Sequence, residues 1–159
     1  MVTLHQINTE LESLGLPSCN SLPSISLLNN TLKNQRVLLI DDSAGVFEIY
    51  IPALMLLTDG KASFIHHQAG MQVEDILDKI EQIDPTVILV DYYLAENLVG
   101  SSLCAKIKEK FSNIVLVGFS TIGDVPKIIN AFEASGAIAS IKKTQDSQST
   151  LFELAERLI

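Results

Sequence analysis

The sequence predicts an α/β domain in which helices cover both faces of a doubly wound, five-stranded parallel sheet. From Arg36 onward, short apolar runs alternate with stretches whose apolar residues recur at helical spacing. The runs are uniformly apolar, which is typical of strands buried on both faces. Of the 159 residues, 47% are hydrophobic, which is enough for a sizeable core.

The apolar runs define the strands, and the segments between them define the helices. The five predicted strands are residues 36–40, 61–66, 86–90, 114–117 and 136–141. The second of these resembles an edge strand. The predicted helices cover residues 46–57, 73–83, 103–111, 125–132 and 151–158. Asp124 is expected to cap the fourth helix.

Residues 1–35 are predicted to form an N-terminal helical extension and linker that precede the α/β domain of residues 36–159. The apolar residues of the extension's helix share one face: Leu4, Ile7, Leu11 and Leu14. Thr3 and Gln6 fit a capping box at its start. The segment Ser24–Asn34 is expected to add a further turn or two.

We expect the N-terminal helix to pack against the first helix of the domain. The segment Val46–Leu57 contains Glu48 as its only charged residue, so both of its faces are apolar. A free outer face would leave a patch that soluble monomers seldom expose. Two alternatives stay open, a disordered N-terminal tail and a stripe that pairs with a second copy to form a homodimer.

Charge and composition exclude several classes of partner. A net charge of −8 argues against direct binding to nucleic acid or to an anionic membrane surface. No apolar run reaches the length of a membrane span, and the longest, Ile49–Leu57, contains Pro52, so no membrane insertion is expected. The N-terminus lacks the features of a signal peptide. Cys19 and Cys104 have no metal-like spacing and are expected to be reduced thiols in a cytoplasmic protein.

Polar residues lie where the predicted strands end. Asp41 and Asp42 follow the first strand, and Asp91 follows the third. Ser120 ends the fourth strand and Lys143 the fifth. Ligands of open parallel sheets bind beyond the carboxyl ends of the strands, so these side chains are expected to converge. Three converging carboxylates repel one another unless a cation holds them, and partly hydrated oxygen ligands suit Mg²⁺.

Over residues 36–159 the chain resembles the receiver domain of two-component response regulators. The motifs "LLIDDS", "ILVDYYL", "VGFST" and "SGAIASIKK" carry this resemblance together, and none of them is specific alone. The resemblance implies the flavodoxin-like strand order 2-1-3-4-5, in which the first and third strands are neighbours. The acid pair of the first strand is then expected to lie beside Asp91.

The resemblance also implies a role for each polar residue. Asp91 would accept a phosphoryl group from the phosphohistidine of a sensor histidine kinase or a histidine phosphotransfer protein. Asp42 would bind Mg²⁺ directly, and Asp41 would bind it mainly through water. Asp91 and the backbone carbonyl of Tyr93 would complete the protein ligands of the metal.

Two further residues would contact the phosphoryl group. Lys143 would pair with its charge, and Ser120 would donate a hydrogen bond to it. Lys142 is adjacent, and the spacing to Gly136 and Ala137 favours Lys143. A carboxylate is a weak nucleophile, so its attack on an anionic phosphoryl group needs charge neutralisation by a metal and an ammonium group.

The chain departs from the usual receiver pattern at three places. Thr144 follows Lys143 where these domains usually have Pro, so a cis peptide bond there is less favourable. Ser140 stands at the position of the aromatic switch residue, so the usual ring rotation is absent. The loop after Asp91, "YYLAENLVG", lacks the common Met-Pro. These departures leave the phosphorylation chemistry in place and affect the output switch.

The predicted function is that of a stand-alone receiver, a signalling domain rather than an enzyme with its own turnover. It would act through protein–protein interaction with an unidentified output protein, or as a phosphoryl relay. The alternative is a receiver-like interaction scaffold that is never phosphorylated. A flavodoxin-like cofactor site fits less well because "DDSAGV" would repel a phosphate. His66 and His67 are predicted to be a surface pair at a strand end, since adjacent strand residues point to opposite faces.

Overall fold

The computed structural model describes residues 1–24 and 31–159. It contains a five-stranded, all-parallel sheet of order β2-β1-β3-β4-β5, which confirms the predicted fold class and strand order. The strands are β1 Val37–Asp41, β2 Ser63–His66, β3 Val87–Val90, β4 Val115–Ser120 and β5 Ala139–Lys142. β2 lies at one edge of the sheet, as expected.

Each predicted helix is present, with shifts of a few residues at the ends. The expected cap of the fourth domain helix was wrong, because the N-cap residue is Val125 rather than Asp124 and no side chain caps the helix. The helices are α1 Leu4–Ser13, α2 Ala44–Leu57, α3 Val73–Ile83, α4 Gly100–Lys110, α5 Pro126–Ala134 and α6 Ser147–Arg157. A 3₁₀ turn, Ala95–Asn97, precedes α4. Gly136 has a φ of +100° and forms part of a turn, so β5 begins at Ala139 rather than at Gly136. Among the described residues, no helix is both long and apolar enough to span a bilayer.

The sheet separates two apolar cores. Leu39 and Phe119 point to the face covered by α2 and α6, whereas Leu38 and Ile40 point to the face covered by α3, α4 and α5. This division follows from the strand geometry, in which successive side chains point to opposite faces. Because both faces are covered, only the edges and ends of the sheet are open to ligands. The carboxyl ends of its strands therefore carry the candidate site.

Helix α1 packs against α2, which confirms the predicted docking of the N-terminal helix. Ile7 and Leu11 are fully buried in the same core as α2. The capping box of Thr3 and Gln6 is present. The predicted stripe was wrong at Leu4, which is only partly buried, and Val2 is buried in the core instead.

The chain after α1 is held close to it. Asn8 donates its amide to the Cys19 carbonyl at 3.2 Å and accepts from the Cys19 N–H at 2.7 Å. Leu32 returns to the same core and is 3% exposed. The further helical turns predicted within Ser24–Asn34 fall largely on residues 25–30, which lie outside the described residues.

Candidate functional site

The sheet brings the predicted polar residues to one end. Asp41 is the last residue of β1 and Asp91 directly follows β3, and these two strands are paired neighbours. The carboxylates of Asp41, Asp42 and Asp91 each offer an oxygen within 4.8 Å of the others. Lys143 directly follows β5, and Ser120 ends the intervening strand β4. The cluster forms because the strand order puts the first and third strands side by side.

A buried ion pair lies at the centre of the cluster. The Lys143 ammonium group donates to Asp41 Oδ2, and both side chains are almost completely buried. The Ser43 N–H donates to Asp41 Oδ1 at 2.9 Å, so both oxygens of this carboxylate are paired. Lys142 instead points outward, 3.7 Å from Asp124. The structure therefore supports Lys143, rather than Lys142, as the lysine of the site.

Asp91 is 8% exposed and lies beside this pair. Its Oδ1 accepts from the Tyr92 N–H at 2.9 Å and lies 3.4 Å from Lys143 Nζ. Burial, which disfavours the ionised form, is the largest cause that raises the pKa of Asp91 to about 6, and the Asp41 carboxylate adds to it. Lys143 and the Tyr92 N–H oppose this shift, and Asp42 adds a smaller increase.

This shift predicts a pH-dependent stability difference between the protein and its Asp91→Asn variant. The folded state holds the Asp91 proton more tightly than the unfolded chain does. Protonated Asp91 therefore stabilises the folded state at low pH, and this contribution is lost as the pH rises from about 4 to about 6. Asn carries no such penalty. Without divalent metal, the variant should therefore become more stable than the wild type by roughly 2–3 kcal/mol as the pH rises from about 4 to about 7. Urea unfolding at both pH values measures this difference, and a pH-independent difference would contradict it.

The donor set of the cluster fits Mg²⁺. Hard, compact cations prefer oxygen ligands, and the three carboxylates supply them from Asp41, Asp42 and Asp91. Asp42 is exposed, which leaves room for the waters that Mg²⁺ usually keeps. Only one cation, Lys143, faces the carboxylates of Asp41 and Asp91 among the described residues. A divalent ion would therefore offset negative charge that the protein leaves uncompensated.

Ser120 and Tyr93 lie next to the cluster. The Ser120 hydroxyl accepts from the Ile122 N–H at 3.4 Å, and the Ser120 carbonyl accepts from the Lys143 N–H at 2.8 Å. Tyr93 is 63% exposed, and its backbone forms an antiparallel bridge with Val99. Backbone pairing thus fixes the path of the chain at both positions, whereas their predicted contacts with metal and phosphoryl group remain predictions.

Gly100 meets a structural requirement that was not predicted from the sequence. A Cβ at this position would lie 1.8 Å from the carbonyl oxygen of Asp91, so no side chain fits. The Gly100 N–H also donates to the Tyr92 carbonyl at 2.6 Å. The start of α4 is thereby packed against the backbone that presents Asp91. The sequence did offer one indication of this requirement, since Gly100 ends the loop that follows Asp91.

The prediction of a surface pair at His66 and His67 was wrong for His67, which is 3% exposed. Its Nδ1 accepts from the Ala95 N–H at 3.0 Å, and its Nε2 lies 3.4 Å from the Met71 carbonyl. This ring therefore joins the segment after β2 to the segment after β3. His66 Nε2 lies 3.1 Å from the Asp42 carbonyl. Both histidines support the loops around the acidic cluster.

Known structures share this architecture, although no protein-family model and no curated protein matches the sequence. The BeF3-activated DrrB receiver domain superposes with a TM-score of 0.61 at 19% identity, over 78% of this chain and 97% of that one. The receiver domain of NtrX from Brucella abortus has a TM-score of 0.61 at 19% identity, over 77% and 97%. A chain of the CheX-CheY-BeF3-Mg+2 complex from Borrelia burgdorferi has a TM-score of 0.60 at 16% identity, over 77% and 88%. The chain thus has the fold of response regulator receiver domains.

Proposed function

We propose that the protein is a response regulator receiver that accepts a phosphoryl group on Asp91 from a phosphohistidine, with Mg²⁺ as cofactor. It acts as a signalling domain rather than as an enzyme with its own turnover. The observation that carries the proposal is the position of Asp91, which lies 3.4 Å from the Lys143 ammonium group and within 4.8 Å of the oxygens of Asp41 and Asp42.

The residues of the cluster have separable tasks in this reaction. Asp91 is the nucleophile, and with a pKa of about 6 it is ionised at neutral pH. The Tyr92 N–H holds one of its oxygens and so orients the carboxylate. Lys143 offers its positive charge to the incoming phosphoryl oxygens. Burial of Asp41 and Lys143 keeps this ammonium group close to Asp91 before the reaction begins.

Asp41, Asp42, Asp91 and the Tyr93 carbonyl would hold the Mg²⁺ ion. The chemistry that Mg²⁺ supplies in phosphoryl transfer is neutralisation of charge on the phosphoryl oxygens. The Ser120 hydroxyl would then donate a hydrogen bond to the bound phosphoryl group. At present the hydroxyl oxygen accepts from the Ile122 N–H, which does not use the hydroxyl proton, so Ser120 can make this donation and keep that partner.

A sensor histidine kinase or a histidine phosphotransfer protein is the proposed donor. A groove of about 330 Å³ beside Lys143 is lined by the first turns of α2 and by Thr144 and Gln145. Residues 51–55 in the second half of α2 are buried, whereas Gly45 and Glu48 in the first half are exposed. A donor that presents its phosphohistidine to Asp91 therefore has an open surface next to the site.

One observation favours the alternative of an unphosphorylated scaffold. The Ser140 hydroxyl donates to the Gly123 carbonyl at 2.8 Å, and a Cβ on Gly123 would lie 2.1 Å from the Ile141 carbonyl oxygen. The loop after β4 is therefore tightly held against β5. An interaction surface that does not change with phosphorylation would use such a loop.

Incubation with an acyl phosphate and Mg²⁺, followed by intact-mass measurement, distinguishes the two functions. The receiver is expected to gain the mass of one phosphoryl group, and chelation of Mg²⁺ by EDTA should prevent this gain. A protein that keeps its original mass in the presence of Mg²⁺ would be the scaffold.

The aspartyl phosphate is expected to hydrolyse slowly. Tyr93 lies two residues after Asp91, and Ile122 lies two residues after Ser120. Both side chains are bulky, whereas in-line hydrolysis needs an oriented water. The double change Tyr93→Asn and Ile122→Glu, which adds polar groups that can orient water, should shorten the phosphoryl lifetime by about tenfold or more.

The decay of the phosphorylated mass after removal of the donor measures this lifetime. Tyr93→Phe is the control, because it keeps a bulky ring at the position. A double variant whose phosphoryl group lasts as long as that of the wild type would show that these positions do not control water.

A further inference from the structure

Tyr50 makes an unusual connection between α2 and the segment after β5. This residue is 1% exposed, and its hydroxyl donates to the Thr144 carbonyl at 2.5 Å. Thr144 directly follows Lys143. The hydrogen bond therefore fixes the peptide group that comes immediately after the lysine of the site.

The ring of Tyr50 makes a second contact with the surroundings of Lys143. Its edge packs against the ring of Phe119, with centroids 5.1 Å apart and an interplanar angle of 82°. The Lys143 ammonium group lies 6.0 Å from the centroid of that same ring. Tyr50 thus supports both the backbone after Lys143 and the aromatic ring beside its charge.

Other contacts explain why this support matters. On the preceding side, the Lys143 N–H donates to the Ser120 carbonyl at 2.8 Å, so β4 fixes that peptide group. On the following side, the chain has left β5 and has not yet entered α6. A lysine side chain loses much rotational freedom when it is held in one position. The Lys143 side chain is therefore held best when the backbone on both sides of it is fixed. The sheet fixes the peptide group before Lys143, and the Tyr50 hydroxyl fixes the peptide group after it.

A third residue completes the arrangement. The Thr144 hydroxyl shares a 2.8 Å hydrogen bond with the hydroxyl of Thr150 on α6. Burial is the main cause that raises the pKa of the Tyr50 hydroxyl, which consequently stays protonated and remains a donor at neutral pH. Tyr50 and Thr150 thus hold Thr144 from two helices.

We propose that Tyr50 is a positioning residue that aims Lys143 at Asp91 through the Thr144 carbonyl and the Phe119 ring. The inference rests on the proposed phosphoryl transfer to Asp91 and adds to it a residue that does not touch the phosphoryl group. Thr150 assists through the Thr144 side chain.

Tyr50→Phe tests the proposal, since it keeps the ring and removes only the hydroxyl. At saturating acyl phosphate and Mg²⁺, the phosphorylation rate of this variant should fall roughly tenfold. Thr150→Val should lower the rate by a smaller factor, and it provides a second test if Tyr50→Phe folds poorly. The matched control is Thr58→Val, which removes another buried hydroxyl at the far end of α2, where it donates to Leu54 at 2.7 Å. Its rate should equal that of the wild type.

A double-mutant cycle separates positioning from a general loss of stability. If Tyr50 acts through Lys143, Tyr50→Phe should cause no further loss of rate in a Lys143→Ala background. The side-chain ammonium signal of Lys143 in NMR spectra is a second measurement that needs no phosphorylation. It should be protected from solvent exchange in the wild type and in Thr58→Val, and it should be lost in Tyr50→Phe.

The outcomes distinguish this inference from the proposed function. If the wild type takes up no phosphoryl group, the proposed function fails, and the NMR comparison still decides whether Tyr50 holds Lys143. A full phosphorylation rate in Tyr50→Phe would overturn the positioning role. The positioning role would also be overturned if Tyr50→Phe lowered the phosphorylation rate by the same factor with and without Lys143. An NMR signal of the Lys143 ammonium group that does not respond to Tyr50→Phe would overturn it as well.

Discussion

Replacement of Asp91 by Asn is expected to abolish the Mg²⁺-dependent uptake of a phosphoryl group from an acyl phosphate. The amide has the shape of the carboxylate but lacks its charge and nucleophilic oxygen. Because Lys143 keeps its buried partner Asp41, the variant should still fold. Intact-mass measurement after incubation should find a complete loss of labelling.

Asp78→Asn is the matched control, because Asp78 is an exposed residue of α3 whose carboxylate is outside the acidic cluster. It should label like the wild type. Undiminished labelling of Asp91→Asn would show that the phosphoryl group is accepted elsewhere.

Replacement of Ile7 by Ala is expected to lower the stability of the protein strongly. Ile7 is fully buried between α1 and the core that contains α2, so the change creates a cavity. Substitutions of this kind cost about 2–5 kcal/mol. For a chain of this length the melting temperature should fall by roughly 5–15 °C. Thermal unfolding followed by circular dichroism measures the fall.

Glu12→Ala is the control on the same helix, since Glu12 is exposed and its replacement should leave the melting temperature nearly unchanged. Deletion of residues 1–16 should exceed the effect of Ile7→Ala and should increase the binding of a hydrophobic dye, because it uncovers the outer face of α2. If the shortened chain melts at the wild-type temperature and binds no extra dye, α1 does not stabilise the domain.

The sequence was sufficient to predict the elements whose signal is local. The runs of β1 and β3 are uniformly apolar, so their burial on both faces could be inferred from composition alone. Asp41 ends β1 and Asp91 directly follows β3, so the positions of these strands in the sheet also set the positions of the two carboxylates. The convergence of Asp41 and Asp91 therefore required only the correct strand order.

The supporting contacts could not be predicted, because they join residues that are distant in the chain. Tyr50 and Thr144 are separated by 94 positions, and nothing near either one indicates the other. His67 resembles a surface residue in the sequence, yet a loop 28 positions later covers it and donates to its ring. Side-chain packing in three dimensions decides such contacts.

The apolar stripe of α1 shows the same limit on a smaller scale. Helical spacing predicted Leu4 on the buried face, whereas Val2, which precedes the helix, fills the space over Gly60. The helical spacing of apolar residues gives no information about the residues that precede the helix, such as Val2. The burial of Ile7 and Leu11 means that these two side chains are already used within one chain, which leaves less of the stripe for a homodimer.

Chemical trapping determines whether Asp91 is the residue that carries the phosphoryl group. Wild-type protein is incubated with an acyl phosphate and Mg²⁺, reduced with borohydride and digested, and its peptides are sequenced by mass spectrometry. Reduction converts an aspartyl phosphate into homoserine. We expect homoserine at position 91 only when both the acyl phosphate and Mg²⁺ are present before reduction. Homoserine at Asp41 or Asp42, or unmodified Asp91 in a sample that has gained the mass of a phosphoryl group, would show that Asp91 is not the acceptor.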